Sequence, residues 1–151
     1  AFGGTAQFAA GLMETPRGNT FGFVAFCSFG AFWWTFGLFA LFLEKGVTPG
    51  FVGWWLFMWG FFTFYMWIAS LAGTRAVQAI FLTLWVTFVV LAIGEWTGAA
   101  GIKAAGGYLG LITALCAFYL AAAEVINDMH ARTVLPVGHP ERKPMMEERT
   151  A

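Results

Sequence analysis

The chain has 151 residues, a formal net charge of zero, 60% apolar and 19% aromatic residues and only 11% charged ones, against about 25% charged in an ordinary soluble domain. Its eight basic and eight acidic residues are clustered between long uncharged runs, so a soluble globule would lack the polar surface to wrap its apolar mass. This is a membrane composition; it excludes secreted, disordered and collagen-like classes and, with no basic patch, nucleic acid as a partner.

In chain order, the first thirteen residues, Ala1 to Met13, are uncharged and helix-compatible. At the helical rise they reach about 20 Å, short of a hydrocarbon core of about 30 Å. They read as half of a span. With no initiator Met, basic leader or small-residue cleavage site they are not a signal peptide, and the natural chain is expected to begin upstream. Four stretches are long enough to cross a bilayer as helices: Phe21 to Leu43, Phe51 to Ala72, Ala76 to Gly94, and about Gly106 to Ala123. The connections are Glu14 to Thr20, Glu44 to Gly50, Gly73 to Arg75 and a longer one from Glu95 to Ala105. Short connections make consecutive helices antiparallel neighbours. The expected architecture is therefore an all-α, polytopic membrane bundle over residues 1–127. A charged, Pro-containing tail follows over residues 128–151, and its composition predicts mobility.

Lys and Arg placement orients the bundle. Arg17, Arg75, Arg132, Arg142, Lys143 and Arg149 fall on one side, Lys45 and Lys103 on the other, which puts the tail in the cytoplasm of a plasma membrane or bacterial inner membrane. Trp54, Trp55, Trp67 and Trp96 sit near span ends, where indole favours the headgroup region.

The spans exclude several chemistries. The histidines, His130 and His139, lie in the tail, so no span offers an imidazole for haem, chlorophyll or a buried metal. None of the three lysines lies in an expected span, which removes a retinal Schiff base, and no phosphate loop or hydrolase motif is present. No enzyme and no cofactor is expected. Cys27 and Cys116 lie in apolar runs and read as small buried hydrophobes. The neutral polar groups left in the spans are Thr5, Gln7, Ser28, Thr63, Ser70, Gln78, Thr83, Thr87 and Thr113. Small residues at helical spacing, such as Gly106 and Gly110, fit either close helix packing or the wall of a narrow passage.

Two polar positions stand out. Glu124 precedes apolar Val125 and Ile126 in the last turns of a helix, where a carboxylate opposes the macrodipole and needs a partner or an aqueous opening; Asn127 shares its face. It is expected to bond to groups near Asn19 and Thr20. Asn19 or Thr20 can also N-cap the helix from Phe21, and with Arg17 the free N–H groups form a candidate anion-attracting mouth.

The string Phe2-Gly3-Gly4-Thr5-Ala6-Gln7-Phe8-Ala9-Ala10-Gly11, followed by Glu14 and Gly18-Asn19-Thr20-Phe21-Gly22, resembles the acetate uptake transporter family, the succinate-acetate permeases of YaaH type. Ala25-Phe26-Cys27-Ser28-Phe29-Gly30-Ala31-Phe32-Trp33, Leu91-Ala92-Ile93-Gly94, Tyr119-Leu120-Ala121 with Glu124 and Asn127, and Thr133-Val134-Leu135-Pro136-Val137-Gly138 follow in the family's order. The resemblance implies six helices per subunit, so that this chain carries four full spans and half of another, entering midway through helix two. It also implies a homo-hexamer in lipid with a passage through each subunit for acetate and related short-chain carboxylates, including succinate. Some relatives are linked to acetate sensing or ammonium export, which leaves a non-transporting role as the alternative.

The family's constriction combines a Phe from helix one, a Tyr on helix three and a Leu on helix five. By resemblance the Tyr position is Phe29, a departure that removes a hydroxyl, and the Leu position is Leu84. Ala117 matches a small position on helix six associated with which acids pass. Gln7, Asn19, Thr20, Gln78, Thr83, Glu124 and Asn127 are the motif positions expected at a mouth or lining. Acetate is almost wholly an anion at pH 7, and a dry aromatic ring favours its passage as a neutral, protonated pair. Protons are therefore the expected co-substrate.

Overall fold

The computed structural model describes residues 1–138, which contain helices and no strand. α1 (Phe2–Glu14) is the apolar half-span, closed by a 3-10 turn (Thr15–Arg17) and by Gly18 at φ 66°, a left-handed position suited to glycine. α2 (Thr20–Leu38) starts at Asn19, whose side-chain oxygen accepts from the Gly22 amide at 3.0 Å, the capping predicted for this position. It runs into a single π-helical turn (Phe39–Leu43) and a 3-10 turn (Glu44–Gly46). α3 (Pro49–Ser70) opens on Pro49, which lacks the N–H that a first turn would leave unpaired. α4 (Arg75–Thr97) is capped by the Thr74 hydroxyl, and α5 (Ala100–His130) completes the chain of helices.

Four helical segments, Thr20–Leu43, Pro49–Ser70, Arg75–Thr97 and Ala100–His130, are long and apolar enough to cross a membrane. They correspond to the four expected spans, with one correction. The polar stretch from Glu95 to Ala105 is not a loop. α4 continues to Thr97, the turn is Gly98 (φ 68°) and Ala99, and α5 starts at Ala100. The charges responsible for the looplike composition neutralise each other: Lys103 Nζ lies 2.8 Å from Glu95 Oε2 across the turn.

The tail expectation also needs correction. α5 extends to His130, and residues 131–138 fold back on the bundle. The amides of Arg75 and Ala76 donate to the carbonyls of Gly138 and Val137 at 2.7 and 3.1 Å, and the Tyr119 hydroxyl donates to the Pro136 carbonyl at 2.7 Å. Two of the unpaired N–H groups of the first α4 turn are satisfied in this way. His139, Arg142, Lys143 and Arg149 lie outside the described residues.

Two kinds of contact hold the helices. In lipid, apolar burial gives little drive for association, so close van der Waals approach decides it. α1 packs on α2, α3 on α4 and α4 on α5, each through glycine. A β-carbon at Gly11 would lie 2.6 Å from Cys27 Sγ, and one at Gly30 would lie 2.7 Å from the Phe8 amide nitrogen. At Gly60 it would meet Phe88, and at Gly106 it would lie 2.6 Å from Leu91. α2 meets α3 and α4 differently, through aromatic rings that hold the backbones apart.

Candidate functional site

Those rings surround Phe29. Residues 29 and 32 of α2 lie on one face and are buried, directed at α3 and α4. The Phe29 ring is 5.4 Å from Phe62, 5.9 Å from Trp59 and 6.1 Å from Phe81, centroid to centroid. Phe32 stacks on Trp55 at 5.1 Å and meets Phe88 edge-to-face at 5.3 Å. Such tilted and edge-to-face pairs match the positive ring edge to a negative face. Leu84, one turn beyond Phe81 on α4, packs against this same cluster. The structure therefore brings Phe29 and Leu84 to one apolar region, flanked by Phe81. Ala117 is on the exposed side of α5, outside that cluster.

The polar candidates divide into structural caps and groups without bonds. Gln78 donates to the carbonyls of Leu71 and Gly73 at 3.3 and 3.0 Å and accepts from Arg75, closing the end of α3 onto α4. Asn127 organises residues 134 and 135: its oxygen accepts from their amides at 2.7 and 2.9 Å, and its nitrogen donates to the Leu135 carbonyl at 2.8 Å. Thr83 bonds back to Ala79 and Ile80 within α4, and its own carbonyl accepts from Thr87. The Thr87 hydroxyl approaches Thr113 of α5 at 3.5 Å in a buried contact. Gln7 is half-buried on α1 and, like exposed Thr20, has no side-chain bond among the described residues.

Glu124 does not occupy the position expected for it. It is exposed on α5, and no described group bonds to its carboxylate. The acid beside Asn19 is Glu14, which accepts from Asn19 Nδ2 at 2.7 Å and from Arg17 Nη1 at 3.1 Å. The physical reason is local. The Gly18 turn folds Asn19 back onto the last turn of α1, so an acid five residues upstream reaches it first.

Charge is thus confined to the ends of the bundle, and the middle is aromatic with scattered hydroxyls. Trp59 and Phe62 had no individual role in the sequence reading, and Trp55, expected there as a headgroup-level ring, stacks on Phe32 and Phe36 instead. Their signal was spacing: the three share one face of α3 at intervals of four and three residues, as Phe29 and Phe32 share one of α2.

A sequence profile described as the GPR1/FUN34/yaaH family matches residues 1–140. The chain is 45% identical over 141 residues to the succinate-acetate/proton symporter SatP of Escherichia coli, covering 91% of this chain and 75% of that one. It is 46% identical over 147 residues to an uncharacterised protein of Methanothermobacter thermautotrophicus, covering 90% and 72%. A solved structure described as the bacterial acetate channel SatP superposes with a TM-score of 0.85 at 43% identity, over 89% of this chain and 76% of that one.

Proposed function

Because the chain belongs to the GPR1/FUN34/yaaH family, we propose that it carries acetate and related short-chain carboxylates, succinate among them, across the membrane together with a proton. The observation that carries this reading is the charge-free aromatic region holding Phe29 and Leu84, in a chain 45% identical to a protein named for that transport. Phe29 and Leu84 form two parts of the constriction, and Ala117 sets the width further along. Gln7, Asn19, Thr20, Gln78, Thr83, Glu124 and Asn127 act at the mouths or in the frame around it. The working unit is a homo-hexamer in lipid, with the C-terminus in the cytoplasm.

The proton travels on the substrate. The stretches 21–43, 51–72, 76–94 and 106–123 contain no Asp, Glu, His, Lys or Arg, and Glu14 and Glu95 at the bundle ends each pair with a cation. A carboxylate entering such a region unprotonated would leave an uncompensated charge in low dielectric. As an acid it brings only a hydroxyl and a carbonyl.

Uptake of radiolabelled acetate into proteoliposomes containing only this protein tests the reading. Saturable uptake above the rate of empty liposomes, accelerated by an inward proton gradient and inhibited by succinate, is expected. Rates equal to those of empty liposomes would reject transport and favour the sensing role.

A further inference from the structure

Leu84 and Phe88 share their face of α4 with an acid. Glu95 lies eleven residues beyond Leu84 and seven beyond Phe88, close to whole helical turns, so it continues the row that Phe81, Leu84 and Phe88 begin. Ala92, between Phe88 and Glu95, is fully buried. At the helical rise Glu95 stands about 10 Å from Phe88 and about 16 Å from Leu84. It is at the end of the bundle opposite residues 131–138, which bond to the start of α4.

Lys103 of α5 meets it there. The ammonium donates to Glu95 Oε2 at 2.8 Å, its one bond among the described residues. An ammonium carries three donors, so two remain. The side chains of Lys103 and Glu95 keep 39% and 23% of their surface exposed, enough for a small anion to reach them, while the Lys103 stem is fixed against Gly94. α2 and α3 bring no charged residue to the pair. Their ionisable groups are Cys27, on the α1 side of α2, and Tyr65, toward the opposite end of α3. Tyr108 of α5 is exposed and bonds to neither partner. The 3-10 turn after α2 adds Glu44 and Lys45 to this end, with no net charge.

We propose that Lys103, held by Glu95, is the binding site at which an incoming carboxylate gains its proton before it enters the aromatic region. The substrate carboxylate accepts from the two remaining Nζ–H groups. Two carboxylates then share one ammonium, which leaves one negative charge in excess, and a single bound proton removes it. A hydronium ion gives that proton to a carboxylate oxygen and leaves as water. With the new O–H bond on the substrate, an undissociated acid remains, without the charge that held it at Lys103. It moves along the row of Phe88 and Leu84, and Glu95 keeps its ion pair. This site depends on the carboxylate reading of the protein and adds to it the place where the proton is taken up.

The test is equilibrium binding of radiolabelled acetate at pH 7 to the full chain in phosphatidylcholine nanodiscs, with proton uptake followed by an indicator dye in weak buffer. About one proton should be taken up per bound acetate, the charge to be neutralised. Lys103→Met keeps the stem and loses the donors; it should weaken acetate binding about tenfold, the scale of charge-assisted hydrogen bonds, and Lys103→Arg should largely restore it. Glu95→Gln removes the competing carboxylate, so acetate should bind more tightly and without proton uptake. A pair that only clamps the hairpin cannot move the two affinities in opposite directions. Equal affinity in all variants overturns the proposal, as does a loss in Glu95→Gln matching that in Lys103→Met. Lys103 dependence seen only in nanodiscs that contain phosphatidylglycerol would assign the ammonium to a lipid phosphate and overturn it as well. If Lys103→Met does not fold, Glu95→Gln and Lys103→Arg decide alone. Lys103-dependent binding with proton uptake, in a protein that moves no acetate into proteoliposomes, would reject transport and leave the site standing; transport with Lys103-independent binding would do the reverse.

Discussion

Lys103 and Glu95 join α5 to α4 across a turn of two residues, with the ammonium 2.8 Å from the carboxylate and both side chains partly screened from solvent. The Lys103 stem also fills the space beside Gly94, where a β-carbon would lie 2.8 Å from Lys103 Cγ. Charge pairing and close backbone approach thus coincide at one hairpin. A double-mutant cycle with Glu95→Gln and Lys103→Met should give a coupling of about 1 kcal/mol, between the values of exposed and fully buried pairs. Thermal unfolding in detergent measures it; additive effects would mean that the pair contributes only packing.

Gly11→Ala should separate α1 from α2. The added methyl would lie 2.6 Å from Cys27 Sγ and 2.7 Å from its amide nitrogen, and the expected loss is about 1–3 kcal/mol. Gly3→Ala is the control, with nothing within 4 Å, and should be neutral or slightly stabilising because alanine restricts the unfolded chain. Equal melting temperatures for the two variants would show that the α1 to α2 contact is not sterically tight.

Asn127→Ala removes three hydrogen bonds that hold residues 134 and 135. Hydrogen exchange at the Val134, Leu135, Arg75 and Ala76 amides should rise together by about tenfold or more, as expected for losing more than 1 kcal/mol of local stability. Asn127→Asp keeps the acceptor and should protect Val134 and Leu135 better than Ala does. Unchanged exchange in the Ala variant would assign the anchoring to Tyr119 and the α4 amides alone.

At the proposed constriction, Leu84→Ala should raise succinate flux relative to acetate, and Phe29→Tyr should alter the preference among monocarboxylates without widening the path, since it adds a donor and little volume. Proteoliposome uptake of acetate, propionate and succinate, normalised to folded protein, reads both effects. Identical relative rates in both variants would place the narrow point elsewhere.

The spans were legible from uncharged length, and the Asn19 cap from its place before Phe21. The α5 start was not, because Glu95 and Lys103 look like loop charges until their pairing across a turn is seen. The same limitation explains Glu124: depth in a helix is readable from a sequence, but the partner of an acid depends on which turn folds back, and Gly18 delivers Glu14 instead. Phe29 and Leu84 were singled out by family resemblance, whereas the ring set around Phe29 was hidden among 18 Phe and 8 Trp residues, whose abundance masks any one face.

The contrast between glycine contacts and ring-spaced contacts has a mechanical consequence. Hydrostatic pressure favours denser packing, and the loosest packing lies in the α2 to α3 seam, where rings hold the backbones apart beside two open grooves of about 200 Å³ each. The glycine-packed hairpins have little volume to lose. Compression should therefore act unevenly, drawing α2 toward α3 while leaving each hairpin nearly rigid, so that an imposed change of volume becomes a narrowing of the aromatic region around Phe29.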